Sequence, residues 1–174
     1  MENLILYKFV EELQQQTRFA RLAFRELRSI VTSVDSERIF LFAHAFLAHS
    51  ANVSRLLWPT REGSAERGKA LREATGVAED SALRLPGARP QLEHEDECYE
   101  DWLERLDAPH YVDMNVMPTA AIGEFKGDAF QRSLDPDTFR LVLRGVTVET
   151  RVLADALRQL ETSIDHWKRT HRPW

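Results

Sequence analysis

The chain has 174 residues, 43% of them hydrophobic, which is enough to bury one core and short enough that a second domain is not expected. Its formal net charge of −5 excludes indiscriminate attraction to nucleic acid or anionic membranes, so an anionic partner requires a local basic patch. A single cysteine, Cys98, excludes an intrachain disulfide and an all-thiolate metal cage.

The opening MENLILYKFVEELQQQ has Glu2 where a signal peptide carries positive charge, and Glu11 and Glu12 interrupt its apolar run. A soluble cytoplasmic protein with no membrane association is the expectation. Leu6, Val10, Leu13, Thr17, Ala20, Phe24, Leu27 and Val31 recur at steps of three and four, predicting one amphipathic helix to about residue 33. Asp35 or Ser36 then caps a second helix that Pro59 stops after Trp58. Within it, IFLFAHAFLAHSANVSRLLW is apolar nearly all round, as in a helix surrounded by others.

Residues 60–88 are more polar, with a short helix over Ser64 to Ala74 ended by Gly76, then a break at Pro86-Gly87. Pro90 suits the first turn of a third long helix running to Leu106, its core stripe formed by Leu92, Tyr99, Trp102, Leu103 and Leu106. The period then changes to two. Val112, Met114 and Val116 alternate with Tyr111, Asp113 and Asn115, Phe139 to Leu143 follows the turn residues Asp135-Pro136-Asp137, and Ala129 to Leu134 is a weaker middle strand. An antiparallel β-meander over about 110–145 is therefore predicted. Leu153, Leu157, Leu160, Ile164 and Trp167 restore helical period for a last helix. The fold class is mainly α, one domain over 1–174, with four to five helices (1–108 and 148–170) and the meander inserted before the last.

Three groups of side chains carry candidate chemistry. Arg18, Arg21, Arg25 and Arg28 fall at steps of three, four and three, a basic stripe that either grips a nucleic-acid backbone or pairs with the acidic helix after Pro90. Arg55 adds to a looser basic region with Arg61, Arg67, Lys69 and Arg72. His94, Glu97, Cys98 and Asp101 share one helical face, but four mixed ligands on one helix seldom converge, so neither a metal nor a cofactor is expected. His44 and His49 in the second helix read as hydrogen-bonded core or interface histidines. No Gly-rich phosphate loop, dinucleotide fingerprint or serine nucleophile signature is present.

In RGKALREATGVAEDSALRLPGARPQLEHEDECYEDW, following FAHAFLAHSANVSRLLWP, Arg89 and His94 stand with four residues between them at a helix start. The stretch resembles bacterial HEPN-like proteins, whose hallmark is an arginine, four to six residues and a histidine, with coverage of about residues 36–106. That resemblance implies an HEPN-like bundle, a homodimer in which the motifs of two chains meet in a cleft, and metal-independent RNA cleavage of toxin–antitoxin or phage-defence type, with an antitoxin or another protein as further partner. Carried over, Arg89 holds phosphate and His94 moves protons, roles that suit a guanidinium fork and an imidazole titrating near neutrality. Two departures stand against cleavage. Pro90 replaces the polar residue, often asparagine, that commonly follows the arginine, and Glu93, Glu95, Asp96, Glu97, Glu100, Asp101 and Glu104 crowd the same helix and repel phosphate. The alternative is a non-catalytic homodimeric interaction scaffold with a degenerate motif.

Overall fold

The computed structural model describes residues 3–106, 111–121 and 127–171. Two long helices form its frame: α1 (Asn3–Ile30) and α2 (Ser36–Leu57). They run antiparallel, since Gln16 meets His49 and Asn52 while Phe24, further along α1, meets Phe46, earlier on α2. The predicted start of α2 is correct in chemistry as well as position, because the Asp35 carboxylate accepts the Arg38 backbone N–H at 3.0 Å. Burial follows the predicted stripe of α1 at Val10, Leu13, Thr17, Ala20, Leu27 and Val31. The all-round burial expected of α2 is not seen: Leu41 is 64% exposed and His44 is exposed too.

Helix α3 (Ala65–Thr75) ends where Gly76 turns left-handed at φ 66°. A 3-10 turn at Ala82–Arg84 leads to α4 (Ala88–Glu93) and α5 (Glu95–Glu104). The single helix predicted from Pro90 to Leu106 is thus two, which brings the number of α-helices among the described residues to six. His94 (φ −129°, ψ 54°) leaves the helical region and is the C-cap of one helix and the N-cap of the next. Three carboxylates, Glu95, Asp96 and Glu97, then fill the first turn of α5, where a helix N-terminus favours negative charge. Of the predicted core stripe Trp102 is buried, whereas Leu103 is 41% exposed.

The small sheet precedes the last helix as predicted, but it is mixed. β1 (Asn115–Val116) pairs parallel to β2 (Arg132–Leu134), while β3 (Arg140–Leu143) and β4 (Val146–Glu149) continue antiparallel in the order β1-β2-β3-β4. The alternation over 112–116 overstates β1, because Met114 adopts φ +52° and leaves Val112 as an isolated parallel bridge to Phe130. His110 and residues 122–126 of the predicted meander lie outside the described residues. β4 is absent from the sequence reading, which took Gly145 as the end of the sheet. Arg144 (φ 47°) and Gly145 (φ 84°) instead form a two-residue hairpin turn with both central residues left-handed.

Helix α6 (Thr150–Thr170) closes the bundle by lying antiparallel on α1, with Gln14 donating to Asp165 at 2.6 Å and Lys168 donating to Gln14 at 2.9 Å. Its buried Leu153, Leu157, Leu160, Ile164 and Trp167 are the predicted stripe. Among the described residues no helix is long and apolar enough to cross a membrane.

The turn between β2 and β3 is organised by one carboxylate. Asp135 accepts from the backbone and hydroxyl of Thr119 at 2.8 and 2.6 Å and from the backbone N–H groups of Asp137 and Thr138 at 2.9 and 3.0 Å. Burial alone raises an aspartate, but these four donors outweigh it and hold the Asp135 carboxyl far below the usual range. A depressed folded-state value means that the stabilisation is complete above the ordinary 3.8 and is lost as pH falls from there toward the folded value. Asp135→Asn is expected to lose about 3 kcal/mol at neutral pH, and its urea midpoint should fall less than that of wild type below about pH 4.

Candidate functional site: two arginine-lined grooves

The first groove, about 630 Å³, runs between α1 and α6. Four predicted residues, Arg18, Arg21, Arg25 and Arg28, line it together with Arg158, over an apolar floor that includes Leu22 and Phe24. Five guanidiniums face two carboxylates there, Asp155 and Glu161. The lower end is neutralised: Arg18 Nε donates to Glu161 at 3.0 Å and Arg21 pairs with the same carboxylate. The partner of the stripe is therefore α6 and not the acidic helix that the sequence offered. Toward the upper end, Arg25 is 74% exposed and among the described residues pairs with its neighbour Glu26 alone, at 3.6 Å. Arg28 makes no ion pair or hydrogen bond among the described residues. Arg158 is held by Asp155 at 3.1 Å. Arg55 stands elsewhere, on α2, bonded to Asn52 and 3.8 Å from Glu93.

A second groove of about 540 Å³ opens where α2 ends against α3 and α4. Helix termini leave carbonyls without intrahelical partners, and Pro59 prevents α2 from continuing. Two arginines fill the vacancy. Arg72 of α3 donates to the Leu57 carbonyl, and Arg89 of α4 donates through Nη1 to the Trp58 carbonyl at 2.7 Å. Arg89 Nε also donates to Glu93 at 2.8 Å, one turn along α4. Only 10% of the Arg89 side chain is exposed, and the third nitrogen, Nη2, has no partner among the described residues.

His94 is five residues on but in different surroundings. Its ring is 60% exposed, its Nδ1 lies 3.7 Å from Glu97 Oε2, and it does not line the groove that holds Arg89. One chain thus leaves the two motif residues apart. Cys98 Sγ faces the Pro90 carbonyl at 3.7 Å, and no cluster of three or more His, Cys, Asp or Glu able to hold a metal ion occurs among the described residues. His49 is hydrogen-bonded as expected, Nδ1 to Gln16 Oε1 at 2.8 Å beside Phe19, and desolvation lowers its affinity for a proton. His44 is exposed, so it is not a core histidine.

Sequence reasoning missed the α6 half of the first groove and the Trp58, Arg84 part of the second. Arg158 and Glu161 share the polar face opposite the α6 core stripe, but periodicity does not say which polar faces meet. No family model matches the chain, and neither a curated protein nor a solved structure matches it.

Arg89→Ala removes two bonds at once and leaves Glu93 and the Trp58 carbonyl short of a donor in a half-buried setting. A loss of about 2–3 kcal/mol in chemical unfolding is expected, with Arg89→Lys intermediate because an ammonium lacks the fork.

Proposed function

We propose that the protein is an HEPN-like RNA-binding protein that holds a single strand along the α1–α6 groove. The observation that carries this reading is the upper half of that groove, where the Arg28 side chain has no acidic partner among the described residues and Arg25 has its neighbour Glu26 at 3.6 Å, beside the apolar Leu22 and Phe24. A net charge of −5 makes such a patch local, so attraction is confined to one face. The stripe from Arg18 to Arg28 extends roughly 15 Å along the helix, enough to follow a few consecutive phosphates. Guanidiniums suit this task because they remain charged and give directed donors to phosphate oxygens. Leu22 and Phe24 beneath them offer apolar surface to unstacked bases, which single strands expose and duplexes do not.

Cleavage by Arg89 and His94 is a second reading, favoured by the exposure of the His94 ring and the open Nη2 of Arg89. It requires a second copy of the chain to bring an imidazole to the guanidinium. The carboxylates around His94 oppose an incoming phosphate, which is why binding is placed first.

Binding of a short unstructured RNA, followed by fluorescence anisotropy against salt, tests the first reading. With Arg25 and Arg28 each meeting one phosphate, the logarithmic salt slope is expected near −1.4 (about −0.7 per contact) and should fall toward zero in Arg25→Ala/Arg28→Ala, with affinity reduced roughly tenfold or more. An unchanged affinity in that variant sinks the groove as the RNA site. For cleavage, RNA should be cut in EDTA by wild type and not by folded His94→Ala; an intact RNA pool limits the protein to binding.

A further inference from the structure

A third cleft, of about 360 Å³, lies between the end of α5 and the turn that joins β3 to β4. Arg144 lines it with only 4% of its side chain exposed. At φ 47° this arginine occupies the first position of a two-residue turn where glycine or asparagine costs least, so it is held there against its backbone preference. Its clamp on α4 uses two of three guanidinium nitrogens: Nε donates to Gln91 Oε1 at 2.7 Å and Nη2 to the Gln91 carbonyl at 2.9 Å. The third, Nη1, makes no hydrogen bond among the described residues, and its ion pair there is with Glu95 at 3.8 Å, a side chain 55% exposed. Two further charges line the cleft. Arg105 is exposed; its Nε donates to the Asp101 carbonyl at 2.9 Å, and its terminal nitrogens have no hydrogen bond or ion pair among the described residues. Asp128 is exposed, and its carboxylate is equally without a partner among them, while its backbone carbonyl accepts from Trp102 Nε1 at 2.6 Å. Trp102, Leu106 and Val146 add apolar surface.

We infer that this cleft binds a free α-amino acid with an apolar side chain, its carboxylate taking Arg144 Nη1 and Arg105, its ammonium facing Asp128, and its side chain lying against Trp102, Leu106 and Val146. Two guanidiniums with donors to spare and one unpaired carboxylate match a ligand that carries one charge of each sign. A dianion would meet Asp128 and Glu95, and a plain cation would meet two guanidiniums. Gln91 holds Arg144 twice, so the buried half of the carboxylate clamp is in place before a ligand arrives. The volume stands at the small end of ligand pockets and suits a single amino acid better than a nucleotide or a peptide. The site belongs to one chain and shares no lining residue with either arginine-lined groove.

Calorimetric titration of the full chain with leucine, isocaproate and isoamylamine tests the inference, the last two being leucine without its ammonium and without its carboxylate. Leucine is expected to bind roughly tenfold more tightly than either. Asp128→Asn should bring leucine down to the affinity of isocaproate while leaving isocaproate itself unchanged. Arg105→Ala should weaken both, and each ligand-free variant should unfold close to the wild-type midpoint, since both side chains are exposed. Arg25→Ala/Arg28→Ala should bind leucine as wild type does, so that failure of RNA binding at the first groove and failure here are separate results. Absence of leucine binding at millimolar concentration overturns the inference. So does isocaproate or isoamylamine binding as tightly as leucine, or an Asp128→Asn variant that keeps the wild-type preference for leucine over isocaproate.

Discussion

The carbonyls at the end of α2 must find donors, and the way they find them arranges the rest of the molecule. A helix of 22 residues ends against a proline, its last peptide dipoles unopposed and its partial negative charge facing inward. Arg72 and Arg89 meet that charge from two different helices, so one electrostatic requirement fixes α3 and α4 on the same pillar. Gly68 permits the close approach. A Cβ there would sit 2.7 Å from the Leu57 carbonyl oxygen and 2.4 Å from the Pro59 ring, and neither backbone nor a proline can yield cheaply. The groove lies beside these caps, and each guanidinium also donates to a carboxylate, Arg72 to Glu79 at 2.7 Å and Arg89 to Glu93 at 2.8 Å.

What the sequence made legible follows from what periodicity and capping encode. Apolar stripes gave α1, α2 and α6, since a helix must bury one face, and Asp35, Pro59 and Gly76 set boundaries by local chemistry that tertiary contacts seldom override. The break at His94 was not legible. No glycine or proline stands there, and the hydrogen bonds on either side, His94 N–H to the Pro90 carbonyl at 3.0 Å and Cys98 N–H to the His94 carbonyl at 2.9 Å, keep the helix pattern but for one residue. The parallel pairing of β1 was equally hidden, because alternation tells which face is buried and not which way the neighbouring strand runs. At the candidate sites the arginine stripe was readable from spacing alone. Its acidic partner was not, since the choice between Glu161 of α6 and the carboxylates of α5 depends on packing that sequence order leaves open.

Charge is distributed in a way that the net value conceals. Six carboxylates lie exposed along α5 and its start, from Glu95 to Glu104, and α5 does not share the α1–α6 face. Three of them stabilise the N-terminus of α5, so the acidity has a local folding role that requires no ligand. The basic side is only half neutralised: Glu161 and Asp155 anchor three arginines and leave two. Separation of the two signs onto different faces leaves an acidic protein with one locally basic surface.

The same separation bears on the Arg89 and His94 motif. Phosphate chemistry needs the field at the reacting oxygens to favour negative charge, and at His94 the nearest groups are carboxylates, Glu97 at 3.7 Å among them. Around Arg89, by contrast, two further guanidiniums, Arg72 and Arg84, line the groove beside its partner Glu93. Within one chain the two halves of the motif therefore sit in electrostatically different places. If a second copy of the chain brought the two side chains together, its interface would also have to carry the α5 carboxylates away from a phosphate. That requirement is the physical reason the proposed order puts recognition ahead of cleavage.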